Sequence, residues 1–512
     1  MQSLRLNRVF LSANPLNIEV FRKIASHDKF RHQGHELLSD EDKPDDDREW
    51  VAACRPQSRE WINERHEEEE RDLCPKWFKH ASRDNYLYLE RRELRDEDRP
   101  DLIARRELVF AQFSLEKSFK HYRRLLRQQK RVLAGRSDLE AFAFGVKQFP
   151  ALKRVTITPA AHGGLNNPLY QTPMIRAFPD GFNYPVPRGW LYCRGGYEQT
   201  AKSYSWNQYP ELKDRYRGFR TAMRVLANEP NSVFELVMTS NSIATGINCT
   251  IFDEPREEYD HFAAVLKKPG FRRLDMTLLV TDDLEEDYGA CWRHLLNGRL
   301  RQALGEAKEL EEFRLDATID TALYRRGGYS AIPLQDLVPV EQWPKLRHFG
   351  ISGFVISRDN CVSLLKTLPK SIRSIELSTL HFINDDENLY GLLEEIKRMV
   401  SEGTLWGDRD AGSRPKITIG VPIGPVSCDR GLGVWIEKEV EDFIYGEGAN
   451  PIMDCGYRSR QCVDRPVGVV RDALEPGFEY PYAKWLQRRD DADSYRSDPD
   501  SYRSEYYDSN ED

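Results

Sequence analysis

No run in this 512-residue chain approaches the ~18 consecutive apolar residues of a membrane span. The first residues, MQSLRLNRVFLSANPL, are too polar for the apolar segment of a signal peptide. Cysteine is sparse: nine residues scatter from Cys54 to Cys462, and no two lie two positions apart. They read as reduced, mostly buried thiols of a cytosolic or nuclear protein. In that setting the sequon Asn248-Cys249-Thr250 never meets the glycosylation machinery. Catalytic signatures are missing as well. There is no G-x-x-x-x-G-K-[ST] phosphate loop, no G-x-S-x-G elbow and no H-E-x-x-H helix. Gly431-Leu432-Gly433 lacks a third glycine and a strand-to-helix setting, so it implies no dinucleotide site. No cofactor is expected, and the chain is not expected to be an enzyme.

A net positive charge is also lacking. The net charge is −8, but it is uneven. Glu36–Asp72 holds 15 acids and 6 bases, and Arg488–Asp512 holds 9 acids and 4 bases, which leaves +6 for the rest. A body so weakly basic makes a nucleic-acid partner unlikely on charge alone.

What the chain does have is a recurring apolar frame. Leu152-x-x-Val155-x-Ile157 follows a helix-breaking Pro150. The frame returns at Val233, Phe271, Leu310, Leu346 and Ile372, and an earlier copy is Leu6, Val9, Leu11. Successive starts are 81, 38, 39, 36 and 26 residues apart, and the 81 reads as about two units. This is the L-x-x-L-x-L part of a leucine-rich repeat, mostly in longer units than the usual ~20–29 residues. In a strand the last two apolar positions share one face, and the residue between them points the other way. One unit cannot bury that face alone, so neighbours must stack.

Helical stripes fill the gaps. Leu212–Leu226 and Asp138–Phe149 show steps of three and four. Ser137-x-x-Glu140 predicts a capping box at the start of the second. The stretch FPALKRVTI then hands an outer helix over to an inner strand, because Pro150 cannot continue the helix and biases Phe149 towards extended geometry. Further helices are expected over Glu258–Lys268, Ala290–Glu309, Asn360–Leu368 and Glu387–Ser401. Leu115–Leu133 predicts another, with an apolar stripe at Leu115, Phe119, Tyr122, Leu126 and Leu133, closed by Gly135. Its other face carries Lys117, Lys120, Arg123, Arg124, Arg127, Lys130 and Arg131, read as a solvated outer face. Thr158–Ser205 reads as a long irregular loop rich in Gly, Pro and aromatics.

The expected fold is therefore α/β: a leucine-rich-repeat-like solenoid with a curved parallel sheet and outer helices. Residues 1–39 form a first unit and 40–110 an acidic insertion ordered around Trp50, Trp61 and Trp77. Residues 111–427 form the main solenoid, 428–487 a cap region, and 488–512 a low-complexity, disordered tail. The tail's serines and tyrosines are read as unmodified. His27, His32 and His35 cluster without converging Cys or carboxylate ligands, and Cys74 with His80, or Cys455 with Cys462, do no better. No metal site is expected there. The acidic PDDDRE run reads as a solvated loop.

The inner strand face is the candidate site. Its polar positions include Arg154, Thr156, Arg273, Asp275, Glu312, Arg314, His348 and Glu376. Stacking sets Asp275 opposite Arg314 and Arg273 opposite Glu312. Such a face suits recognition of a protein, and equally charges that neutralise one another.

The runs LNRVFLSANPLNIEVFRKIASHDKFRHQ, FPALKRVTITPAAHG and PMIRAFPDGFNYPVPRGW resemble a group of filamentous-fungal F-box/leucine-rich-repeat-like proteins. The likeness covers most of the chain outside the tail and carries no catalytic motif. It implies the substrate-recognition part of an F-box-type ubiquitin ligase receptor, cytoplasmic or nuclear. The alternatives are a stand-alone scaffold of the same fold with no ligase coupling and, less favoured, an enzyme of unrecognised class. The family's F-box, of the form L-P-x-E, is not found in this chain. Partnership with a Skp-type adaptor and cullin is therefore expected only if that module lies upstream of Met1.

Overall fold

The computed structural model describes residues 6–40, 74–93, 113–191, 202–280, 292–319, 324, 330–384, 386–423, 431–454, 462–463 and 467–487. Expectations for Trp50, Trp61, Cys455, the PDDDRE run and the tail lie outside these residues.

The core element is one large, mostly parallel sheet whose strand order follows the chain. Nine parallel strands are β1 (Arg8–Ser12), β2 (Glu36–Asp40), β3 (Arg154–Thr158), β4 (Glu235–Met238), β5 (Arg273–Leu279), β6 (Glu312–Thr318), β7 (His348–Ser352), β8 (Ser374–Ser378) and β9 (Lys416–Pro422). Three antiparallel strands continue it: β10 (Leu432–Ile436), β11 (Val469–Asp472) and β12 (Glu479–Pro481). A short strand, Ile247–Asn248, attaches to β5.

The apolar frames set the register. Leu274 lies opposite Phe313, and Phe313 opposite Phe349; Met276, Leu315 and Ile351 follow in the next row. All six are at most 2% exposed. The rings of Phe313 and Phe349 stack at 5.9 Å, and Trp343 lies 4.7 Å from Phe313.

The helices cover this apolar face. The main ones are α1 (Pro15–Ala25), α2 (Lys76–Glu93), α3 (Leu115–Gly135), α4 (Ser137–Gln148), α5 (Arg217–Asn228), α6 (Glu257–Leu266), α7 (Arg299–Gly305), α8 (Arg358–Thr367), α9 (Leu389–Ser401) and α10 (Lys438–Tyr445). Phe21, Val146, Phe219, Phe262, Leu304, Leu365, Ile396 and Phe443 from these helices share one continuous core with the strands. Side chains cap several helix starts: Asn14 accepts from the Leu16 amide, Ser114 from Lys117, Ser357 from Asn360 and Asn388 from Gly391.

Successive units are joined at the corner before each strand. Lys153 N–H donates to the His35 carbonyl at 2.9 Å, and Phe234 N–H to Lys153 at 3.0 Å. The chain of bonds continues through Arg272, Glu311, Arg347 and Arg373 to Lys416, each amide donating to the carbonyl of the residue before it in that series. Phe149 is extended, at φ −97° and ψ 92°, as the FPALKRVTI seam requires.

Several expectations need correction. The 81-residue interval is one unit, since β3 pairs directly with β4. Leu165, Phe182 and Tyr184 of its surplus pack with Cys74, Phe78 and Tyr122 in a second, smaller core, so the described, mostly irregular part of Thr158–Ser205 is packed. Residues 1–39 contain two strands rather than one unit, because β2 lies within the acidic run and its Leu37 and Leu38 are fully buried. The capping box does not form: Arg136 precedes α4 with φ 53° and makes no side-chain cap. Arg136, not Gly135, takes the left-handed position that closes α3. The apolar stripe of α3 is also rotated, with Ser118, Tyr122, Gln129 and Val132 buried. Ala290–Glu309 is not one helix, because Gly298 at φ 82° breaks it before α7. The stretch before α5 is a 3-10 turn, Pro210–Tyr216.

Curvature follows from the far end of the sheet. Seven inter-strand steps separate β4 from β11, about 34 Å if the sheet were flat. Yet Asn241, three residues beyond β4, donates from Nδ2 to the carbonyl of Ala473, one residue beyond β11. Asn167 in the loop after β3 donates to Glu475 Oε1 at 3.0 Å. Four extended residues reach only about 14 Å, so the sheet must curl to close this gap.

Candidate functional site

The inside of that curl carries the polar strand positions. One row reads Arg8, Glu36, Arg154, Glu235, Arg273, Glu312, His348, Ser374, Lys416 from β1 to β9. Its first six positions alternate in sign, and neighbours pair: Arg8 with Glu36 at 2.8 Å, Arg154 with Glu235 at 2.6 Å and Arg273 with Glu312 at 2.7 Å. Alternation removes the like-charge contacts that stacked parallel strands would otherwise impose.

The next row changes character halfway: Thr156, Val237, Asp275, Arg314, Gly350, Glu376. Asp275 lies opposite Arg314 as expected, but the ion pairs run elsewhere. Asp275 pairs with Arg273 of its own strand at 2.7 Å. Arg314 pairs with Asp316 on its own strand at 3.2 Å and with Glu376 two strands away at 3.0 Å. Gly350 makes the longer contact possible. A Cβ there would sit 3.3 Å from Arg314 Cγ and 3.4 Å from His348 Nε2, so any side chain would crowd the crossing guanidinium.

Electrostatics follow this packing. Burial opposes the Arg314 charge, but Asp316, Glu376 and Asp275 outweigh it and the guanidinium pKa moves up. Burial raises the Glu376 carboxyl pKa, and Arg314 limits the rise. Burial lowers the His348 pKa, so the ring stays neutral near pH 7 and shares a 2.8 Å hydrogen bond with Ser374 Oγ.

A cleft of about 670 Å³ opens over the C-terminal ends of β4–β9 and reaches β10 and β11. Its floor includes Asp275, Arg314 and Glu376 together with a third polar row: Thr277, Asp316, Ser352 and Ser378. Trp435 forms one end, beside Arg471, whose guanidinium lies 5.8 Å from the indole centre and pairs with Glu479 at 2.8 Å. The segment Asp472–Gly477 lines it, held by Asn167 and Asn241. Asn241 and Ser242 line the rim with φ of 51° and 61°.

Of the eight predicted residues, only Asp275, Arg314 and Glu376 line this cleft. Arg273, Glu312 and His348 sit one row back on the same face. Arg154 and Thr156 lie at its other end. Thr156 is 2% exposed, donates to Glu36 Oε1 at 2.7 Å and is no contact surface. Tyr170 packs over this end, with the Arg8 guanidinium 5.0 Å from its ring.

Thr277, Asp316, Ser352 and Ser378 were missed because the frame was read as ending at its second core position. β5 and β6 run seven residues, and continuing the period of two reaches the third row, in which Asp316 and Ser352 are half-buried and Thr277 and Ser378 buried. Trp435, Arg471 and Asp472 carry no such signal, since long-range closure alone brings them in.

Among the described residues, no group of three or more His, Cys, Asp or Glu could hold a metal ion, and no helix is long and apolar enough to cross a membrane. His35 is engaged with the Ala151 carbonyl, and His27 stacks on Phe30. Comparison with family models, curated proteins and solved structures returned no match.

Proposed function

We propose that this chain is a leucine-rich-repeat-like solenoid and works as a non-catalytic protein-binding module. The observation that supports it best is the register. Nine successive parallel strands present one polar row, Arg8 to Lys416, on the concave face, while helices cover the other. Stacked repeats use such a face to meet a partner along its length. The charge pattern can discriminate between partners even where the charges are internally paired. In this reading the partner contacts lie around Asp275, Arg314, Asp316 and Glu376.

By the likeness described above, the module would be the receptor part of an F-box-type ligase, holding a target at high effective concentration beside the transfer machinery. It would be cytoplasmic or nuclear. The other form of the same reading is a scaffold with no ligase coupling. Proximity labelling with the full chain tests the module: a reproducible protein set, lost when Arg314 and Glu376 are both changed to Ala, is expected. Labelling that does not depend on these residues refutes the assigned face. Co-purification with a Skp-type adaptor separates the two forms.

A further inference from the structure

The cleft is a more specific feature than the face around it. Its floor crosses six strands, β4 to β9, and five steps of about 4.8 Å give about 24 Å along the sheet. That is the length of about seven extended residues. The loop Asp472–Gly477 lines the cleft and is tied to the loops after β3 and β4 by Asn167 and Asn241, so the occupant lies in a bounded cleft rather than on an open surface.

The lining has one dominant sign. Asp275, Asp316, Glu376, Asp472 and Glu479 face it, against Arg314 and Arg471. Among the described lining residues two guanidiniums thus meet five carboxylates, of which Asp275 is also paired with Arg273 just behind the cleft and Asp472 is buried. The arginines already present show how the site holds such a group: Arg314 lies between Asp316 and Glu376, and Arg471 lies between Glu479 and the face of Trp435. Hydroxyls of Ser352 and Thr379 line the same floor, where they can meet the backbone of an extended chain.

We propose that the cleft binds an extended segment of a partner protein that bears lysine or arginine. The proposal rests on the binding-module reading and adds the chemistry of the bound segment. Carboxylates in a partly desolvated cleft attract a cation more strongly than on an open surface.

Random 12-residue peptides displayed on phage and panned on the immobilised full chain test it. Selected peptides should be rich in Lys or Arg, and their affinity should fall as salt rises. Ser352 lies on the floor between Asp316 and Ser378 in register, which makes it a site for charge variants. Ser352→Arg should weaken the selected peptides at least tenfold, while Ser352→Glu, of comparable bulk, should keep or strengthen binding. Thermal melts of both variants confirm folding. If one variant unfolds, the Asp316→Asn variant takes its place, with a fall of at least threefold expected. Equal loss in both Ser352 variants, selection of peptides without cations, or no selection overturns the proposal. Proximity partners that still depend on Arg314 and Glu376 in such a case would leave the module reading standing.

Discussion

Arg314→Met removes the guanidinium but keeps most of the aliphatic stem, so it isolates the charge network. Two carboxylates lose their common partner. Breaking a fully buried pair costs about 3–5 kcal/mol, and an exposed one contributes about 0–1 kcal/mol. Arg314, Asp316 and Glu376 side chains are 34%, 23% and 14% exposed, which places the loss between these limits, at about 2 kcal/mol. The loss depends on pH in a defined direction. Burial raises the Glu376 carboxyl pKa and Arg314 counters it, so the variant's carboxyl rises further. A carboxyl raised on folding adds stability below its unfolded pKa and loses it as pH climbs through the folded value. The deficit of the variant should therefore be full at pH 7.5 and smaller near pH 4.5. Guanidinium chloride unfolding followed by tryptophan fluorescence at both pH values measures it. A deficit under about 0.5 kcal/mol at pH 7.5, or one that grows on acidification, refutes the network.

His162 is 3% exposed, shares a 2.9 Å hydrogen bond with Tyr184 Oη, and has its pKa lowered to about 3 by burial and then by Arg188. A histidine depressed on folding adds stability above its unfolded pKa and loses it as pH falls, so the chain should lose about 2 kcal/mol between pH 7 and pH 5 from this residue alone. His162→Gln should flatten that acid limb in unfolding titrations, and an unchanged slope counts against the assignment. Gly353→Ala should destabilise by about 3 kcal/mol or more, because φ is 74° and the new Cβ would lie 1.9 Å from the Ala317 carbonyl oxygen. A melting temperature within 1 °C of the parent would show that the backbones of β6 and the turn after β7 can separate freely.

The amino-acid sequence alone determined the repeating strand and its two faces. Val155 and Ile157, Leu274 and Met276, and Phe313 and Leu315 alternate with polar residues. A strand has a period of two, so that pattern already states which side is core. Prolines before several strands marked the seams, because proline cannot continue a helix beyond its first turn. Local signals failed where a partner decided the outcome. Ser137 and Glu140 can form a capping box, but the turn at Arg136 that joins α3 to α4 prevents it. Glu36–Asp40 reads as part of an acidic run, yet the pairing of its backbone with both β1 and β3 makes it a central strand.

The floor of the cleft was partly legible in Asp275, Arg314 and Glu376, but its closure belonged to the tertiary structure. Asn241 and Ala473 are 232 residues apart, and no periodicity connects them. They meet because the sheet curls between β4 and β11, which brings the loops after these two strands together. That curl depends on the packing of every unit between them, so it is written in no single stretch of the chain.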